Sequence, residues 1–147
     1  MRVLLQRVTR AGVSVNGEVH GSIGPGLLAF VGVGPRDTPE VAASVAAKSV
    51  DMRIFRDEDG RTNRSLADVA GAMLVVSQFT LYGDTRKGRR PSFLGAAPPD
   101  LAAELVEVFA GAVEGRGIDV GRGVFGAEME VDLVNDGPMT IWLDSET

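Results

Sequence analysis

No cysteine occurs among the 147 residues, which removes disulfide scaffolds, thiolate nucleophiles, zinc–thiolate sites and iron–sulfur clusters together. Histidine is nearly as scarce. The single one, His20, excludes His-rich metal sites and two-histidine mechanisms, and allows a Ser-His-Asp triad only if His20 belongs to it. No metal and no cofactor is expected. Long apolar runs are missing at the start, where Met1-Arg2-Val3-Leu4-Leu5-Gln6-Arg7 holds three consecutive apolar residues. That is far short of a signal-peptide core or a membrane span, so a cytoplasmic protein is expected. Positive charge is outweighed, with 15 basic against 20 acidic side chains, a net charge of −5 and a pI near 4.9. No long-range field draws this chain to nucleic acid, and any such binding must be local.

What is present is ordinary for a globular protein: 44% hydrophobic and 24% charged residues, without repeats or a low-complexity linker. The length predicts a single domain over 1–147 that buries about two-thirds of its unfolded surface. Asn16-Gly17 between Val13-Ser14-Val15 and Glu18-Val19-His20 predicts a β-hairpin with a type I′ turn. The apolar runs Leu27 to Val33 and Met73 to Phe79 predict strands buried on both faces, while Glu128 to Val134 alternates as a half-exposed strand does. Thr140 to Leu143 predicts a last short strand. One helix is expected to start at Thr38-Pro39, with Thr38 as cap, and to end near Met52. A second should run from Pro98-Pro99-Asp100 to Gly115, with Leu101, Leu105, Val108, Phe109 and Ala112 on one face. About six strands and two helices, with strands consecutive at both ends, favour an α+β sheet architecture over a regular βαβ repeat.

Several apparent motifs dissolve on inspection. Gly121-Arg122-Gly123-Val124-Phe125-Gly126 matches G-x-G-x-x-G by letter, but a β-patterned segment follows where a dinucleotide site needs a helix N-terminus, so these read as loop glycines. Asp57-Glu58-Asp59-Gly60 lacks the remaining ligands of a calcium loop and reads as a solvated turn. Asn63-Arg64-Ser65 carries no meaning as a glycosylation acceptor in a cytoplasmic chain. His20 has no recognisable Ser or Asp partner and reads as a surface residue.

Two segments stand apart. In Ser77-Gln78-Phe79-Thr80-Leu81-Tyr82-Gly83-Asp84 an apolar strand runs directly into hydroxyls, an amide and a carboxylate. The carboxyl end of a strand is a common place for a site, because the sheet fixes the backbone while N–H groups and side chains project beyond it. Next come Arg86, Lys87, Arg89 and Arg90, a local concentration of positive charge that suits phosphate contact or a solvated turn. The other segment, Asn135-Asp136-Gly137-Pro138-Met139-Thr140, reads by itself as a turn between two strands.

Together, Ser77 to Tyr82 and Asn135 to Thr140 resemble the paired motifs of the D-aminoacyl-tRNA deacylases. Gln6-Arg7-Val8, the stretch from Thr85 to Phe93, and Gly123-Val124-Phe125-Gly126-Ala127 support the resemblance. Met139 stands where the family often has Val, and Gly83 where it often has Ala. The resemblance implies a compact, strongly curved, barrel-like sheet with two main helices. It implies hydrolysis of the ester joining a D-amino acid to the 3′-terminal adenosine of tRNA, by a homodimer with active sites at the interface. It further implies that Gly137-Pro138 is a cis peptide inserted into the partner's site, where its main-chain atoms crowd out an L side chain. Glycine, with nothing to collide, should then be poorly discriminated, so glycyl-tRNA is an expected substrate.

Roles follow on the same footing. The backbone N–H groups of Phe79 and Thr80 would stabilise the oxyanion while water attacks, with Thr80 as positioning group or as nucleophile. Ser77, Gln78 and Phe79 would bind the terminal adenosine, Gly137, Pro138, Met139 and Thr140 would border the substrate, and Arg86, Lys87, Arg89 and Arg90 would meet tRNA phosphates. Two rival readings remain: a non-catalytic aminoacyl-tRNA-binding module, and a small-ester hydrolase using Ser77 or Thr80 with His20.

Overall fold

The computed structural model describes residues 1–147. In chain order the elements are β1 (Arg2–Val15), β2 (Glu18–Ile23), β3 (Gly26–Gly32), α1 (Pro39–Asp51), β4 (Phe55–Arg56), β5 (Thr62–Arg64), β6 (Ala72–Ser77), α2 (Pro99–Glu114), β7 (Val120–Arg122) and β8 (Glu130–Asp144). A 3-10 turn, Phe79–Tyr82, follows β6. No helix is long and apolar enough to cross a membrane.

β1 organises the sheet. One of its edges pairs antiparallel with β8 along nearly its whole length, while the other pairs with β3 over Arg2–Val8 and with β2 over Ala11–Val15. β3, β6 and β7 continue the sheet in parallel, and β2 returns to lie against β7, so the sheet curls into a nearly closed barrel. Period-2 alternation then divides the core in two. Leu27, Ala29 and Val31 of β3 face the helices, where Leu105 and Phe109 of α2 are fully buried, whereas Leu28 faces the barrel interior with Val8, Val13, Leu74 and Val76. Fully burying one such large side chain contributes about 1.5–3 kcal/mol. At the barrel's rim the Met1 ammonium donates to Asp37 and to the Ser145 hydroxyl, each at 2.6 Å, and Asp37 also accepts from the Gly34 N–H.

The α+β class with two helices is borne out, and the local signals landed where expected. Asn16 and Gly17 take φ of 50° and 79° in the hairpin turn. The Thr38 hydroxyl caps α1 by accepting from the Val41 N–H at 3.2 Å. Three details differ. The centre of the sheet holds two βαβ crossovers, α1 from β3 to β6 and α2 from β6 to β7; short strands buried on both faces suit parallel pairing. Gly121 and Arg122 belong to β7 rather than to a loop. The two strands predicted at 128–134 and 140–143 are not joined by a turn but belong essentially to one strand, β8 (Glu130–Asp144), because β1 continues as its partner on both sides of Gly137.

Candidate active site

β6 stops at Ser77, two residues before the end of its apolar run, and the reason lies in its neighbour. β3 ends at Gly32, where a side-chain carbon would sit 2.9 Å from the Gln78 carbonyl oxygen and 3.2 Å from the Leu81 Cβ. The bare glycine lets the chain fold over the end of β3. Gln78 still donates its N–H to the Val31 carbonyl at 2.8 Å, and the turn begins. The bonds that open and close it are donated by Leu81 to Gln78 (3.3 Å) and by Gly83 to Thr80 (2.9 Å). The N–H groups of Phe79 and Thr80 precede them, as the first donors of any helical turn do, and both residues are exposed.

Around this turn lies a cleft of about 590 Å³ that includes Ser77, Gln78, Phe79, Phe93, Phe125 and Met129 in its lining. Phe79 and Phe93 meet edge to face, centroids 5.2 Å apart. The Thr80 hydroxyl accepts a hydrogen bond from the Gln78 side-chain amide, an arrangement that orients the oxygen without taking its proton. Burial pushes the neighbouring Tyr82 hydroxyl well above its ordinary pKa, so it stays protonated and supplies no base. His20 is exposed on β2.

The basic loop is closed by the antiparallel bridge between Asp84 and Ser92, with N–H···O distances of 2.7 and 2.9 Å. Arg86 is not free within it. Its guanidinium grips Asp84 at 2.9 and 2.7 Å, and its side-chain and backbone hydrogen bonds hold the Asp84 carboxyl down to about 2. Lys87, Arg89 and Arg90 are left exposed.

The second motif is a bulge in β8. Gln6 pairs with Thr140 and Val8 with Asn135, so Asp136 to Met139 stand opposite Arg7 alone. Gly137-Pro138 is a cis peptide and both residues are exposed, while Met139 packs back onto the core. Arg7, only 3% exposed, reaches the Asp136 carbonyl at 3.2 Å, the Asp136 carboxylate at 3.1 Å and the Ile54 carbonyl at 2.6 Å. Arg56 adds a bond to the same carboxylate at 2.8 Å, and the Asn135 amide donates to the carbonyls of Arg7 and Met139.

The Arg56 hydrogen bond, reinforced by the charge of Arg7, holds Asp136 below the usual carboxylate range. A depressed carboxyl pKa adds stability above its unfolded value and loses it as pH falls through the folded one. The difference in denaturation stability between the protein and Asp136→Asn should therefore stay constant between about pH 5 and 8 and shrink only in stronger acid.

Arg7, Arg56, Phe93, Phe125 and Met129 were not singled out as site residues by the sequence. Arg7 had a readable signal: Val3, Leu5 and Arg7 occupy alternate inward positions of β1, and a cation placed inward must find acceptors. Ser77, Gln78 and Phe79 line the cleft and Thr80 follows them in the turn outside its lining, while no residue of the bulge lines it within one chain. The turn is held at Leu81 by Arg2 and the bulge by Arg7. These anchors are separated by roughly 17 Å at 3.4 Å per residue along β1.

The family model described as D-Tyr-tRNA(Tyr) deacylase matches residues 4–144. A D-aminoacyl-tRNA deacylase of Roseiflexus castenholzii is 60% identical over 145 residues, covering 99% of this chain and 92% of the relative. That of Deinococcus deserti is 57% identical over 144 residues, covering 98% and 99%. Among solved structures, the c-Myc DNA Unwinding Element Binding Protein superposes with a TM-score of 0.91 at 36% identity, over 98% of both chains. A probable eukaryotic D-amino acid tRNA deacylase shares the fold at a TM-score of 0.83 and 22% identity, over 97% of both chains.

Proposed function

The chain belongs to the D-Tyr-tRNA(Tyr) deacylase family, and from that premise we propose that it hydrolyses the ester of D-aminoacyl-tRNA, releasing free tRNA and the D-amino acid. The observation that carries this reading is the Phe79–Tyr82 turn beside an apolar cleft, whose first N–H groups, on Phe79 and Thr80, precede the bonds within the turn. Two fixed donors at that point suit the oxyanion that develops as water attacks the ester carbonyl. Phe79 and the other cleft phenylalanines offer faces for the terminal adenine, with Ser77 and Gln78 directed to its ribose. Thr80, already engaged by Gln78 and without a base, orients the substrate rather than attacking it. The substrate's own 2′-hydroxyl can assist the water. Lys87, Arg89 and Arg90 contact acceptor-stem phosphates, and Arg86 joins them only by giving up Asp84. Such an activity belongs in the cytoplasm, where charged tRNA is used.

Handedness is read by the bulge. Gly137 and Pro138 of one subunit enter the cleft of a second, where their main-chain atoms occupy the place of an L side chain. Anchors roughly 17 Å apart on β1 keep the two motifs of one chain separate, which supports a homodimer whose sites lie at the interface. Exposed Phe79, Val134 and Trp142 supply apolar surface for it. A collision with fixed atoms rejects an L residue without a shaped pocket, so many D side chains are accepted. Glycine escapes the collision, and glycyl-tRNA is cleaved too.

The test is incubation with matched D- and L-aminoacylated tRNA while release of the amino acid is followed. The D ester is expected to be cleaved and the L ester spared, with His20→Ala altering neither. Equal cleavage of both hands overturns the steric reading. Activity on free amino-acid esters that His20→Ala abolishes would instead identify a small-ester hydrolase.

A further inference from the structure

The turn that carries Phe79 and Thr80 is fastened at its entry by the Gln78 N–H on Val31 and beyond its exit by the Asp84–Ser92 bridge. Between those points one side chain from outside the turn bonds to it: Arg2, whose Nη1 donates to the Leu81 carbonyl at 3.0 Å. Arg2 is itself well held. In the sheet it pairs with Gly32 on one side and Asp144 on the other. Its Nε donates to the Asp144 carboxylate at 3.2 Å. Its guanidinium carbon lies 4.4 Å from the centre of the Tyr82 ring and 6.0 Å from that of Trp142. A planar cation placed over one ring and beside another keeps few orientations, and its fork serves two acceptors at once.

We propose that Arg2 is a positioning residue for the hydrolysis: it clamps Leu81 and Tyr82 onto the end of β3 and thereby fixes the Phe79 and Thr80 N–H groups where the oxyanion forms. This inference rests on the deacylase reading above. Gly32 and Arg2 act together, the glycine by letting the turn approach β3 and the arginine by holding it there. Arg2 lines no part of the phenylalanine cleft, so its loss should leave substrate binding nearly intact. The maximal rate should fall, because a displacement of about 1 Å at the reacting centre can cost 10²-fold.

Arg2→Met keeps an unbranched side chain of similar reach and removes the donors and the cation that lies over the Tyr82 ring. Single-turnover deacylation of D-aminoacyl-tRNA over a range of enzyme concentrations separates the maximal rate from the half-saturating concentration. The maximal rate is expected to fall about 10- to 100-fold, with the half-saturating concentration within about twofold of the original. Trp142 emission should shift as its cationic neighbour leaves. An unchanged maximal rate, or an equal loss in both parameters, overturns the proposal. If Arg2→Met does not fold, Arg2→Lys keeps a charge near Asp144 without the fork that also reaches Leu81, and is judged by the same two parameters. An inactive unsubstituted protein overturns the deacylase reading and this inference together, a result distinct from an active protein whose Arg2 variants match it.

Discussion

Phe79→Pro is expected to slow single-turnover deacylation by about 10²- to 10³-fold beyond the loss caused by Phe79→Ala, the cost of removing one oxyanion donor. The two variants lose the same phenyl ring, so their ratio isolates the backbone N–H. Proline there opens the turn, where no internal bond is donated by residue 79, and the first turn of a helix tolerates it. Gln78 before it has φ −147° and ψ 79°, outside the helical region that a following proline disfavours. Thr80→Ala provides the contrast. It removes a neutral hydrogen bond and should cost about tenfold at most. A Thr80→Ala loss of many orders of magnitude, with Phe79→Pro no worse than Phe79→Ala, would assign the chemistry to the hydroxyl instead.

Arg7→Met should both destabilise the fold and erode chiral selection. The substitution removes a buried cation from between the Ile54 carbonyl, the Asp136 carbonyl and the Asp136 carboxylate. Breaking one side of a buried charge pair costs about 3–5 kcal/mol. Here the figure is an upper bound, since Asp136 is about one-third exposed and keeps Arg56. Chemical denaturation measures that loss. Selectivity is the sharper readout, because a bulge of four residues opposite a single β1 position depends on its anchor for placement. The ratio of D to L cleavage should fall by up to about 10²-fold, the scale expected for displacement near 1 Å. A variant that is less stable yet fully selective would show that chirality is read elsewhere.

Much of the molecule was legible in its sequence because the signals were local. Asn16-Gly17 specifies its turn through positive φ, Thr38-Pro39 starts α1 through a side-chain cap and a preset φ, and the runs at 27–33 and 73–79 announce strands buried on both faces, the second of which ends at Ser77. The two motifs, at 77–82 and 135–140, were also visible, and with them the family.

Where those motifs lie was decided by partners distant along the chain. Phe79 looked like the last residue of a strand, but the bare Gly32 on β3 leaves room for the backbone to turn there, with the N–H groups of Phe79 and Thr80 at the start of that turn. Asn135 to Thr140 looked like a reversal, yet β1 pairs on both sides of it and makes it a bulge, pinned by a buried Arg7. Hydrophobic period and turn chemistry are properties of neighbouring residues and can be read in order. Register against another strand, and the identity of the cation that clamps a loop, exist only once segments far apart in sequence have met.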